Sequence, residues 1–159
     1  MTRRPITLLA SLITGVALIL AACSPADASQ AGLPAEAPSP VGGEELARLD
    51  EQGAVSVRVV PLNLAELGTS LDFEVALDTH SVDLGMDLTG LASLTTDLGL
   101  TVDASRWDAP RGGHHVEGVL SFPASTGGQD LLTGASLLRL TLRGLDVPER
   151  TFEWALPAE

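Results

Sequence analysis

The sequence is poor in several residue types that carry chemistry. Among 159 residues there is one cysteine, no tyrosine and no lysine, and aromatic side chains make up 3%. A single cysteine excludes an internal disulfide framework. Without lysine there is no Schiff-base amine and no P-loop lysine. Three Phe and two Trp are too few for a platform on which bases or sugars stack. Positive charge is scarce as well: nine arginines face 21 Asp and Glu, a formal net charge of −12. That balance argues against a nucleic-acid partner, whose phosphates need a basic face. It argues equally against an electrostatic grip on anionic lipid. The 45% of apolar residues excludes global disorder, and the length suits one domain with additional segments.

The N-terminus reads as an address. Arg3 and Arg4 form a positive start, and Ile6 to Leu20 is an apolar run interrupted only by Thr7, Ser11, Thr14 and Gly15. Small residues Ala21 and Ala22 follow, then Cys23. This is the layout of a secretory signal peptide; the run is a little short, and too interrupted, for a membrane span. Leu20-Ala21-Ala22-Cys23 resembles the lipobox of bacterial lipoproteins. The resemblance implies that the Cys23 thiol receives a diacylglycerol, that residues 1–22 are removed, and that the new amine is acylated in turn. Two or three acyl chains, palmitate-like in length, make a stable anchor where one does not. Partnership with a membrane through Cys23 is thus expected, with the protein in the cell envelope, outside the cytoplasm. Ser24, rather than Asp, follows the cysteine, which in the resembling class favours the outer membrane of a diderm. In a monoderm the place would be the outer face of the plasma membrane.

Residues 23–53 are expected to form a disordered tether. Pro25, Pro34, Pro38 and Pro40 lie among Ala, Ser and Gly, with Leu33 and Val41 the only large apolar residues before Gly43. Such a composition buries no core. Glu44 to Gln52 is rich in helix formers and stops at Gly53; it is read either as one or two helical turns with Leu46 and Leu49 on one side, or as more tether.

From Ala54 the hydrophobic period becomes two. Apolar residues alternate over Val55–Val59, Leu71–Leu77, Val82–Leu88, Val116–Phe122, Leu138–Leu142 and Phe152–Leu156, with a further pair around Leu94 and Leu100–Val102 flanking Asp97-Leu98-Gly99. Alternation with charged residues on the second face marks antiparallel sheets, dry on one side and wet on the other. No helical pattern separates the strands, which excludes a parallel α/β sheet. The expectation is an all-β fold: a single antiparallel β-sandwich of seven or eight strands over 54–159. Leu88–Leu94 is the weakest stretch and is read as a crossing connection. The turn at 97–99, Gly112-Gly113 and Gly118-Val119-Leu120-Ser121-Phe122-Pro123 resemble immunoglobulin-like accessory domains of small bacterial envelope lipoproteins. The resemblance implies a fold and a setting, not a reaction. A true antibody-type domain is excluded, since the sheets carry no cysteine pair.

The residues that can carry chemistry are few. All three histidines fall in two short segments, Asp78-Thr79-His80-Ser81-Val82-Asp83 and Gly112-Gly113-His114-His115. If these meet at one end of the sandwich, His80, His114 and His115 with Asp78 or Asp83 offer ligands suited to Cu²⁺ or Zn²⁺. The spacing matches no known metal motif, and adjacent histidines on a strand point to opposite faces. Their structural reading is a turn cap and a polar loop edge. There is no Gly-x-Ser-x-Gly elbow and no Asp-x-Asp-x-Asp-Gly loop. Trp154 reads as core; Trp107 reads as either an exposed contact or half-buried packing. The reading that results is a lipid-anchored module that binds an envelope protein or accompanies one, without catalysis and without a required cofactor. The alternative is a Cu or Zn domain on His80, His114 and His115.

Overall fold

The computed structural model describes residues 43–66 and 68–157. The expected signal peptide, Cys23 and the stretch to residue 42 lie outside them. Gly43–Leu46 forms a single helical turn, α1. The strands follow in order: β1 (Arg48–Asp50), β2 (Val55–Pro61), β3 (Ser70–Thr79), β4 (Ala92–Thr96), β5 (Thr101–Asp103), β6 (Arg106–Asp108), β7 (His115–Pro123), β8 (Ser125–Thr126), β9 (Gln129–Asp130), β10 (Leu137–Leu145) and β11 (Val147–Ala155). One sheet has the order β1-β2-β3-β7-β6 and the second β11-β10-β4-β5, while β8 and β9 form a small hairpin. Every ladder is antiparallel. With β2, β3, β7 and β6 as strands A, B, E and D, and β11, β10, β4 and β5 as G, F, C and C′, this is the strand order of an immunoglobulin sandwich. The fold is therefore all-β and antiparallel, as the alternation predicts.

The alternation also predicts the core. Val55, Val57, Val59, Leu71, Phe73, Val75, Leu77, Leu120 and Phe122 are buried from one sheet, and Leu94, Leu138, Leu140, Leu142, Phe152 and Trp154 from the other. The aromatic rings join the layers: Phe73 meets Phe122 edge-on at 5.7 Å and Trp154 at 5.4 Å, Trp154 coming from the facing sheet. Such pairs add to their area burial. Trp107 is half-buried, paired across β6–β7 with Leu120. Gly118 lets β6 lie this close, because a Cβ there would run into Ala109 and the Asp108 carbonyl.

Three expectations are corrected. Val82–Leu88 is not a strand; it crosses from β3 to β4 as irregular chain ending in a 3-10 turn at Leu88–Gly90. Its period of two is real, since Leu84 and Leu88 are buried and Asp83, Gly85 and Asp87 exposed. Alternation reports which side faces the core, but a strand also needs a neighbour to pair with. Here a single Leu84 N–H to Gly113 carbonyl bond (3.1 Å) takes that place. Second, the folded unit begins before residue 54. Arg48–Asp50, assigned to the tether, pairs with Val57–Val59. Three residues whose middle one, Leu49, is 62% exposed carry no readable alternation. Third, eleven strands are present among the described residues where seven or eight were expected; β1, β6, β8 and β9, each of two or three residues, are the unanticipated ones.

The flank between β2 and β11 is closed by β1 and a buried guanidinium. Arg150 on β11 shares the inward parity of Phe152 and Trp154, and its side chain is 0% exposed. It pairs with the Asp50 carboxylate and donates to the carbonyls of Asp50 (3.3 Å), Gln52 (2.5 Å) and Leu145 (3.1 Å). Among the described residues its Nε has no hydrogen-bond partner. Burial pushes the Asp50 carboxyl up, but hydrogen bonds from Gln52 and the Arg150 charge outweigh it and hold it below the usual range. Two further bonds seal the flank: Arg48 Nε to the Glu153 carbonyl (3.0 Å) and Trp154 Nε1 to the Leu46 carbonyl (2.6 Å). An edge strand as long as β11 is thereby partly covered.

Candidate functional site

The two ends of the sandwich differ. At the near end the described chain begins, at Gly43, beside Leu62 and Leu64 of the β2–β3 loop. The Asp97-Leu98-Gly99 turn lies at this end too, its Asp97 carboxylate accepting from Ser136 N (3.1 Å), Ser136 Oγ (2.5 Å) and Leu137 N (3.3 Å). These bonds, the Ser136 hydroxyl first, hold the Asp97 carboxyl below its ordinary value. At the far end β2 starts, β3 stops and β7 starts, and the histidines gather there.

Register builds that cluster. Ser56, Asp78 and His115 lie in one row across β2, β3 and β7. His115 Nδ1 and Asp78 Oδ1 are 2.5 Å apart. The Asp78 hydrogen bond, its charge, and to a lesser degree Glu117 raise the pKa of His115 above its usual value. His80 follows β3 directly. The β3 end and the 112–115 segment are joined by Thr79 N–H to the His114 carbonyl (2.9 Å), so backbone bonding sets the loops side by side. An open depression of about 490 Å³ results, rimmed by Glu51, Gly53, Ala54, Ser56, Asp78, Thr79, His80, His114 and His115. Asp146, at φ 61°, braces its back through a 2.5 Å bond from Ala54 N.

Of the sequence-derived candidates, His80, His114, His115 and Asp78 thus share one depression. Asp83 does not line it; its carboxylate accepts from Gly113 N at 3.2 Å and braces the loop. Among the described residues no group of three or more His, Cys, Asp or Glu is arranged to hold a metal ion. His115 and Asp78 are both largely exposed, with side chains at 64% and 56%. An exposed imidazole–carboxylate pair exchanges protons with water and can meet a polar ligand, but it has no dry pocket in which to strengthen a charge. Cys23 lies outside the described residues. Among those residues, no helix is long and apolar enough to cross a membrane.

Sequence reasoning missed Asp50 and Arg150, the most deeply placed ion pair. One signal was available: Arg150 has the parity of Phe152 and Trp154, which places a guanidinium on the core face, where it must find a carboxylate.

No protein-family model matches the chain, and no curated protein matches it. Among solved structures it is similar to a DUF4426 family protein from Pseudomonas aeruginosa PAO1, at 10% identity and a TM-score of 0.40, over 72% of this chain and 98% of that one. At that level the likeness carries no functional argument; the fold rests on the strand order above.

Proposed function

We propose that the protein is an envelope lipoprotein, anchored through acyl chains on Cys23, whose acidic sandwich serves as a non-enzymatic binding or accessory module. One observation carries the reading: a charged start, an apolar run, Leu20-Ala21-Ala22-Cys23 and a Pro-rich stretch follow in that order and lead into a folded unit at Gly43. Each part has a physical use. The acyl chains hold the protein at the bilayer, the Pro/Ala/Ser stretch gives it reach, and the sandwich presents loops on a rigid scaffold. The binding part draws on the far end, where His115 and Asp78 form an exposed imidazole–carboxylate pair that a polar partner can reach.

The test is Cys23→Ala in the native host. Intact mass of the wild-type protein is expected to begin at Cys23 with added acyl mass, and the variant is expected in the soluble fraction. An unprocessed start with a bare thiol, or a variant that stays with membranes, overturns the anchor.

A second reading, a Cu²⁺ or Zn²⁺ site, rests on one observation: three imidazoles and Asp78 rim one depression. It requires the loop after β3 to close toward His114 and His115. Saturable binding at about micromolar copper, lost in His80→Ala, supports it; its absence removes it.

A further inference from the structure

We infer that the near end of the sandwich rests on the lipid surface, with Leu46 and Leu98 in contact with it, so that the histidine end faces away from the bilayer. This deepens the lipoprotein reading and takes its direction from the same anchor. The large apolar side chains most exposed on the described surface are Leu46, Leu49 and Leu98, at 36%, 62% and 54%. Leu46 and Leu98 both sit at the near end, in α1 and in the turn before β5. Beside Leu46 is a depression of about 330 Å³ walled largely by Gly43, Pro61, Leu62, Leu64 and Ala65. Among the described residues the far-end depression is different: Glu51, Asp78 and the three histidines rim it beside Gly53, Ala54, Ser56 and Thr79, and no leucine lines it.

The occupant is named by where the chain runs. The residues from Cys23 to Gly42 join the fold at Gly43, on this apolar end. A flexible chain of that length has a root-mean-square reach on the order of 25 Å. Anchored at Cys23, it holds Leu46 and Leu98 at roughly millimolar effective concentration relative to the bilayer. A contact far too weak to recruit a free protein is then substantially populated. Glu44, Glu45, Glu66 and Asp97 on the same end select the lipid: they are repelled by anionic headgroups, so the surface that fits is zwitterionic.

The experiment separates this contact from cellular acylation. The chain beginning at Cys23 is coupled through its only thiol to a maleimide phospholipid in phosphatidylcholine vesicles. Hydrogen exchange is then compared with the uncoupled chain beside the same vesicles. Exchange is expected to slow about two- to threefold at 62–66 and 96–99, as for a contact occupied roughly half the time, and to stay unchanged at 80–84 and 111–114. Leu46→Ser/Leu98→Ser is expected to abolish the slowing; both side chains are exposed, and the far-end rates report that the fold is intact. Adding phosphatidylglycerol is expected to weaken the contact, and salt to restore it. Equal rates at both ends, slowing at the far end, or slowing that survives the double substitution overturns the inference. A bare Cys23 in cells would sink the lipoprotein reading while leaving these rates as they are.

Discussion

Two pairs of the same chemical kind, Asp50–Arg150 on the closed flank and Asp78–His115 at the far end, teach different things. Each joins a carboxylate to a nitrogen group from a distant part of the chain, a guanidinium in one and an imidazole in the other. On the flank the guanidinium is fully buried, and three carbonyls share its protons. At the far end both partners stand in water. Exposed pairs contribute little, because solvent screens them and two side chains must be held still. A buried pair adds little net stability against an apolar substitute, yet breaking one side of it is costly, since the remaining charge and carbonyls lose their partners. The flank is built so that it does not open, and the far end is built so that its groups remain available.

That contrast can be broken most sharply at Arg150. Arg150→Ala is expected to lower stability by about 3–5 kcal/mol, read as a fall in the urea midpoint at unchanged slope. A wild-type midpoint would show that the flank pair is ornamental. The next effect is a recovery: Asp50→Leu/Arg150→Met removes both charges and is expected to regain more than half of that loss. The carbonyls of Gln52 and Leu145 remain without a donor, so recovery is incomplete. A double variant no better than Arg150→Ala would assign the loss to packing rather than to charge.

Protonation sharpens the comparison further. Asp50 is held below its ordinary value, so the stability it contributes is complete above the usual carboxylate range and is lost as pH falls through its lowered pKa. Asp50→Asn is expected to flatten the acid limb of the stability–pH curve; an unchanged limb would contradict the assignment. His115 has the opposite sign. Its pKa is raised, so its contribution is complete below the ordinary histidine value of about 6.5 and is lost as pH rises through the raised one. This is the smallest effect, because the pair is exposed. The His115 ring resonances are expected to titrate above those of a free histidine, and the urea midpoints of wild type and His115→Gln to converge as pH rises through the raised value. A His115 ring that titrates at or below the free value would contradict the Asp78 pairing.

Much of the sandwich was legible from alternation. Leu71, Phe73, Val75 and Leu77 are buried where period two puts them, and Trp154 is core. The same pattern misled at Val82–Leu88, because facing and pairing are separate properties and that segment has only the first. The short strands were invisible for the converse reason: Arg48–Asp50 and Arg106–Asp108 pair without enough residues to show a period. The far-end site was half legible. From the sequence, His80, His114, His115 and Asp78 share a site only if their two segments meet; the β3–β7 register and the Thr79 N–H to His114 carbonyl bond bring them together. The withdrawal of Asp83 into a loop brace depended on the Gly113 amide, which sequence does not locate.

Taken alone, the sequence was enough to establish which apolar side chains face inward along most of the long strands, that its charge balance is strongly acidic, and that its one cysteine forms no internal disulfide. These follow from composition and from the two-residue repeat of an extended backbone, both properties of the chain read locally. Tertiary structure decided which strands are neighbours, that β1 belongs to the fold, and that Arg150 meets Asp50 across 100 residues of chain. It also decided that the leucines and the histidines lie at opposite ends. Contacts between residues so far apart depend on how strands stack and on which backbone groups find partners, and a periodic pattern along the chain contains no record of either.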